Sequence, residues 1–221
     1  MRRIGRLTIA AALPLVGLAT AARAQLSGIP VYYNPRGGVG IGVAGDLGFP
    51  NDSAGGGTAY GVSGSLGTGP LTLTGMVGSR SFKRGSAQAS FGGNASLRLL
   101  GGGFLPAAVA VQAGYGTIKV GGEDISTIPV GLGVSFDPPL FPLKPWIAPR
   151  WEFTRGPGAT GSVVNASSFR VSAGVAFNLL LGLGVHAAVD WGQVPAKFKA
   201  SKPSALVIGV GAHFNFHLPL M

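Results

Sequence analysis

From residue 37 onward, apolar and polar side chains alternate with a period of two, the pattern of strands whose two faces meet different surroundings. The stretch 87–99 has no exception. Ala87, Ala89, Phe91, Gly93, Ala95, Leu97 and Leu99 occupy one face, and Gln88, Ser90, Gly92, Asn94, Ser96 and Arg98 the other. Phe169, Val171, Ala173, Val175 and Phe177 repeat the pattern opposite Ser168, Arg170, Ser172 and Gly174. Leu183, Val185, Ala187, Val189 and Trp191 do so opposite His186 and Asp190. Extended along the chain, the reading predicts about ten strands, at 37–46, 58–67, 71–80, 87–99, 107–119, 127–137, 145–155, 167–178, 182–191 and 204–217. Each is close to the ~9–11 residues that a tilted strand needs to cross a bilayer. Pro129 and Pro149 fall inside two of them, and each removes a ladder donor, so a bulge or strand end is expected there. Eight or twelve strands are the neighbouring counts.

The connections alternate in character. Gly67–Pro70, the Gly101–Gly103 region, Pro138–Lys144 and Leu179–Leu181 read as compact turns, whereas 47–57, 81–86, 120–126, 156–166 and 192–203 read as longer polar loops. An even strand number with short turns at one end and long loops at the other is the pattern of an up-and-down barrel with periplasmic turns and extracellular loops. Aromatic residues gather at strand ends on the apolar face. Tyr60, Tyr115, Trp151, Phe153, Phe169 and Trp191 lie toward the loops, and Phe136, Phe177, Phe214 and Phe216 toward the turns. Two such belts fit a pair of membrane interfaces. Trp146 has the opposite parity.

Composition weighs against an ordinary soluble domain. Only 11% of the 221 residues are charged, 46% are hydrophobic and 39 are glycine. That is too little charge to coat an ordinary soluble domain, where about a quarter of residues are charged. Cysteine is absent, which excludes disulfide stapling and thiol chemistry. Residues 1–24 read as a cleaved signal peptide: Arg2, Arg3 and Arg6 precede the apolar run Leu7–Ala19, and Ala22-Arg23-Ala24 supplies a small-x-small cleavage site. Loss of this leader removes four arginines from a chain of formal net charge +10. The predicted organisation is then a signal peptide at 1–24, an N-terminal periplasmic segment at 25–36, a barrel at 37–217 and a tail at 218–221.

In architecture, the mature chain resembles the small bacterial outer-membrane β-barrels, the class of outer-membrane proteins A, X and W. One local feature is sharper. Gly211-Ala212-His213-Phe214-Asn215-Phe216 resembles the C-terminal strand signal of that class, although His217–Met221 follow the last Phe. The resemblance implies that the barrel-assembly machinery reads Gly211, Phe214 and Phe216 during biogenesis, and that outer-membrane lipid and lipopolysaccharide are the surroundings.

Candidate chemistry is sparse. Gly40–Gly45 matches the dinucleotide fingerprint formally, but no amphipathic helix follows to receive a pyrophosphate. Asn94-Ala95-Ser96 and Asn165-Ala166-Ser167 match the glycosylation pattern, which has little meaning in a bacterial envelope. His186, His213 and His217 share the small-residue face without metal spacing. His186 and Asp190 stand about 13 Å apart along one strand, too far for direct contact. No catalytic, cofactor or metal site is predicted, and the cations are too few and interrupted for nucleic acid.

The informative polar set is structural. Symmetric hairpins would place Glu152 opposite Arg170 and Arg170 opposite Asp190, all inward, with Arg150 one step below Glu152. Buried charge needs partners, so a paired network plugging a narrow lumen is expected. Arg80, Lys83 and Arg84, with Lys197, Lys199 and Lys202, form a basic loop rim able to meet lipopolysaccharide phosphates. Two alternatives stand beside the membrane barrel: an outer-membrane enzyme with a rim site, and a secreted lipocalin-like barrel. The lipocalin would be apolar inside and charged outside.

Overall fold

Alternation becomes a closed wall in the computed structural model, which describes residues 26–30, 37–83, 85–102, 105–138, 141–157, 162–195 and 204–217. Ten strands follow in order: β1 (Gly38–Pro50), β2 (Thr58–Gly69), β3 (Leu71–Ser81), β4 (Gln88–Gly102), β5 (Leu105–Val120), β6 (Glu123–Phe136), β7 (Leu143–Pro157), β8 (Val163–Asn178), β9 (Leu183–Gln193) and β10 (Ser204–His217). Each pairs antiparallel with its sequence neighbour, and β1 pairs with β10 from Gly40↔His217 to Pro50↔Val207, so no free edge remains. Closure supplies every strand with two neighbours, the condition for strands that meet no water on their outer face. The strand number and order are those predicted; several ends run up to four residues further.

The two faces have opposite chemistry. Outward side chains such as Val43, Val62, Val130, Leu132 and Val210 are 44–58% exposed. Inward positions hold buried Ser90, Asn94, Ser96, Gln112, Arg150, Glu152, Ser172, His186, Asp190 and His213. This polarity is the reverse of the lipocalin-like alternative. Tyr60, Trp151, Phe153, Phe169, Trp191, Phe136 and Phe216 stand exposed on the outer face, and Trp151 packs against its cross-strand neighbour Phe169 at 4.8 Å between ring centroids. Trp146 turns inward as its parity requires, against Ala148 and Ala188.

Four expectations are corrected. Neither proline makes a bulge or ends a strand. Pro129 stays opposite Glu152 and Pro149 opposite Val171, while β5–β6 and β6–β7 resume their ladders in unchanged register past the gap. The missing N–H therefore interrupts pairing on one side only. The register shifts lie instead in β4, between Arg98 and Leu100 and again at Gly101–Gly102. The second correction concerns 120–126, which is not a long loop. Gly121 and Gly122, at φ 61° and 91°, make a two-residue hairpin turn of the kind that requires positive φ at both positions.

The third correction concerns register. Arg150, not Glu152, lies opposite Arg170, and Asp190 lies opposite Ser172. Each hairpin is offset by two residues from the symmetric expectation, which preserves inward parity but changes the neighbours.

The fourth concerns the segment before β1. Leu26–Pro30 does not sit on the short-turn side but inside the barrel, with Leu26 and Ile29 buried against Ala59 and Met76. Ser27 N donates to Ser90 Oγ at 3.1 Å. Burying two large apolar side chains against the lumen wall accounts for the placement, at roughly 1.5–3 kcal/mol each.

Candidate functional site

Three strands bring four charges to one patch of the lumen wall. Arg150 rises from β7 beside Glu152, Arg170 stands on β8, and Asp190 on β9. Arg150 Nε donates to Glu152 Oε1 at 2.8 Å, and its terminal nitrogens donate to Asp190 Oδ1 at 2.8 Å and Ser172 Oγ at 2.6 Å. Ser172 Oγ in turn donates to Asp190 Oδ1 at 2.8 Å. Arg170 holds Asp190 Oδ2 through Nε at 2.9 Å and through a terminal nitrogen, and its Nε lies 3.6 Å from Glu152 Oε2. Two guanidinium groups thus face two carboxylates, and the cluster is formally neutral. Arg150 and Asp190 side chains are only 2% and 3% exposed. The register offset makes Arg150 the hub, the place expected for Arg170.

A second chain of polar contacts joins strands distant in sequence. His186 Nε2 on β9 lies 2.6 Å from Asp46 Oδ1 on β1, and the Nδ1 atoms of His186 and His213 are 3.1 Å apart. His213 Nε2 reaches Asn178 Oδ1 at 3.2 Å. Asp46 sits in the small inward series Gly42, Ala44, Asp46, Gly48, so its parity was readable. Its partner was not, because β1 and β10 meet without a connecting turn. Among the described residues no group of three or more His, Cys, Asp or Glu is placed to hold a metal ion.

Toward the turn end the lumen carries hydroxyls and amides. Ser63, Ser65, Thr72, Thr74, Asn94 and Ser96 line a polar cavity of about 60 Å³. Asn94 Oδ1 and, farther round the wall, Gln112 Nε2 are buried with no protein hydrogen-bond partner. A polar space of that size admits a few waters, which would satisfy Asn94.

One member of the expected basic rim lies elsewhere. Arg80 is no loop cation: it is 7% exposed on the inner face of β3, hydrogen-bonded to Ser27 Oγ and to the Ala54 carbonyl. Its inward parity, shared with Thr72, Thr74, Met76 and Gly78, carries it under the 51–57 loop. Lys83 is exposed and pairs with Asp52 at 2.8 Å. Arg84, Lys197, Lys199 and Lys202 lie outside the described residues, as do the leader 1–24 and the tail 218–221. Phe214 and Phe216 stand on β10 with their rings edge to face at 4.2 Å, and Gly211 pairs with Asp46 of β1.

No protein-family model matches the chain, and no curated protein matches it. Among solved structures the chain is similar to the outer-membrane protease OmpT of Escherichia coli, at TM-score 0.44 and 8% identity over 80% of this chain and 94% of that one. It is similar to the N-terminal β-barrel domain of Pseudomonas aeruginosa OprF at TM-score 0.42 and 12% identity, over 81% and 99% of the two chains. For Neisserial surface protein A the values are 0.39 and 15%, over 80% and 97%. Similarity at this level transfers no residue's role to this chain.

Proposed function

We propose that the chain is exported and built into the bacterial outer membrane as a small barrel, closed at rest, with a structural, surface-interaction or narrow-pore role. The reversed polarity of the wall is the observation that carries this reading. Apolar residues are exposed around the outside, while arginine, aspartate, glutamate and histidine are buried within. In water such an exterior would form an apolar patch far beyond the few hundred Å² that soluble monomers show. In hydrocarbon it is the favourable face, and the aromatic residues at strand ends suit the two interfaces.

The partners follow from the same surfaces. The exterior would meet lipid, and exposed Lys83 is placed to exchange its solvent-screened contact with Asp52 for a lipopolysaccharide phosphate. Arg84, Lys197, Lys199 and Lys202 would extend that rim. Gly211, Phe214 and Phe216 lie on the strand whose pairing with β1 closes the barrel, so the assembly machinery would read them before closure. No nucleic-acid partner is proposed.

Envelope fractionation tests the reading. The protein should remain with the outer membrane through salt and carbonate washes and leave only in detergent, whereas recovery in the aqueous periplasmic fraction would remove it. In planar bilayers the purified protein should be silent for most of the recording. A steady large conductance would exclude closure.

A further inference from the structure

We propose that the loop-side lumen is a peptide-binding groove whose ligand is the chain's own Leu26–Pro30 segment, a plug that leaves and re-enters and so gates the barrel. The groove is walled by glycines and an alanine that leave room for the plug, its backbone at Gly48 and its side chains at Gly61 and Gly209. Gly48 pairs with Gly209 across β1–β10, Gly61 pairs with Gly78 across β2–β3, and Ala59 lies opposite Gly48. A Cβ on Gly48 would lie 2.0 Å from the Gly28 carbonyl oxygen, and one on Gly209 would lie 2.5 Å from Pro30 Cδ. A Cβ on Gly61 would lie 2.3 Å from Leu26 Cδ1. Glycine inside a strand marks a close approach, and at Gly48, Gly61 and Gly209 the approaching group is the plug. Gly48, Gly61 and Gly209 have no positive φ, so backbone conformation does not demand them, whereas Gly78 is held to glycine by the Tyr60 carbonyl of β2 at 2.4 Å.

The contacts also say how the plug is held. Its apolar anchors are Leu26 and Ile29. Its polar latch is Arg80, which touches Ser27 on the plug and Ala54 in the loop above, with neutral oxygens as both acceptors. Two anchors, one hydrogen bond from Ser27 N to Ser90 Oγ and a latch without a carboxylate make a short segment that can be released. The inward faces of β2 and β3 continue from the groove through Ser63, Ser65, Thr74 and Thr72 to the polar cavity. An empty groove would therefore join water at the loop end to water below.

Two measurements test this, and only the second rests on the membrane reading. In detergent, a variant lacking residues 26–30 should bind a fluorescent synthetic peptide, Gln-Leu-Ser-Gly-Ile-Pro, saturably. The parent, with its groove filled, should not. Adding Gly48→Ala to the deletion should weaken binding at least tenfold, since the three atoms nearest the new methyl all belong to the plug. Absent binding, or equal binding with and without Gly48→Ala, would overturn the groove. The second measurement uses the full chain in bilayers and holds even if the deletion fails to fold. The parent should show rare brief openings, and Gly48→Ala should conduct most of the time. Because the chain has no native cysteine, Ser27→Cys with Ser90→Cys gives one disulfide lock, which should abolish openings until dithiothreitol is added. Identical records from all three would overturn gating. Protein that does not co-float with liposomes would fail the membrane reading instead, and peptide binding would still decide the plug.

Discussion

Arg150→Ala should lower the barrel's unfolding free energy by about 3–5 kcal/mol, the range for removing one partner of a buried ion pair. The side chain bonds Glu152, Ser172 and Asp190 at once, and it is 2% exposed. Its loss removes the 2.8 Å contact to Glu152 and leaves Arg170 at 3.6 Å from that carboxylate. Arg170→Ala should cost less, because Arg150 still holds both carboxylates. Lys83→Ala, which breaks an exposed pair with Asp52, should cost about 0–1 kcal/mol. Thermal or urea unfolding in detergent gives the order directly. An Arg150 effect no larger than that of Lys83 would mean that the lumen cluster is solvated rather than structural. An Arg170 effect above that of Arg150 would restore the symmetric register.

Val210→Arg should destabilise the membrane-embedded barrel by about 2–4 kcal/mol, the depth-dependent cost of arginine at the bilayer midplane. Val210 is central in β10, faces outward and is 44% exposed. Tyr60→Arg places the same charge near the loop end of β2, where the cost should be only about 0–1 kcal/mol. In a soluble barrel both would be ordinary surface substitutions within about 0.5 kcal/mol of neutral. Reversible folding into lipid vesicles measures the difference. Equal costs at Val210 and Tyr60 would argue against a hydrocarbon environment around β10.

Much of this fold is legible in the residues because a half-buried strand writes its two environments as alternation. Gln88–Leu99 and Leu183–Trp191 carry that signal without ambiguity, so strand number, order and inward parity can be read from them. Register is less legible. It depends on the turns, and the offsets that put Arg150 opposite Arg170 and Asp190 opposite Ser172 are invisible in side-chain pattern. Pairings across the closing seam, such as Asp46 with His186, have no local signal at all. Arg80 illustrates a different failure. Its neighbours Lys83 and Arg84 suggest a loop, yet its parity with Met76 and Gly78 already placed it inside. Gly48, Gly61 and Gly209 carry no local signal for their close neighbour, the Leu26–Pro30 segment, because it comes from far away in sequence.

The most direct test of the wall's orientation uses single cysteines in this cysteine-free chain. Fluorophores at Val130 and Val210 should be quenched by lipids brominated in mid-chain, while fluorophores at Ser63 and Asn94 should not. Quenching at the inward pair, or ready labelling of Val130 and Val210 by a water-soluble maleimide in intact membranes, would contradict a lipid-facing exterior.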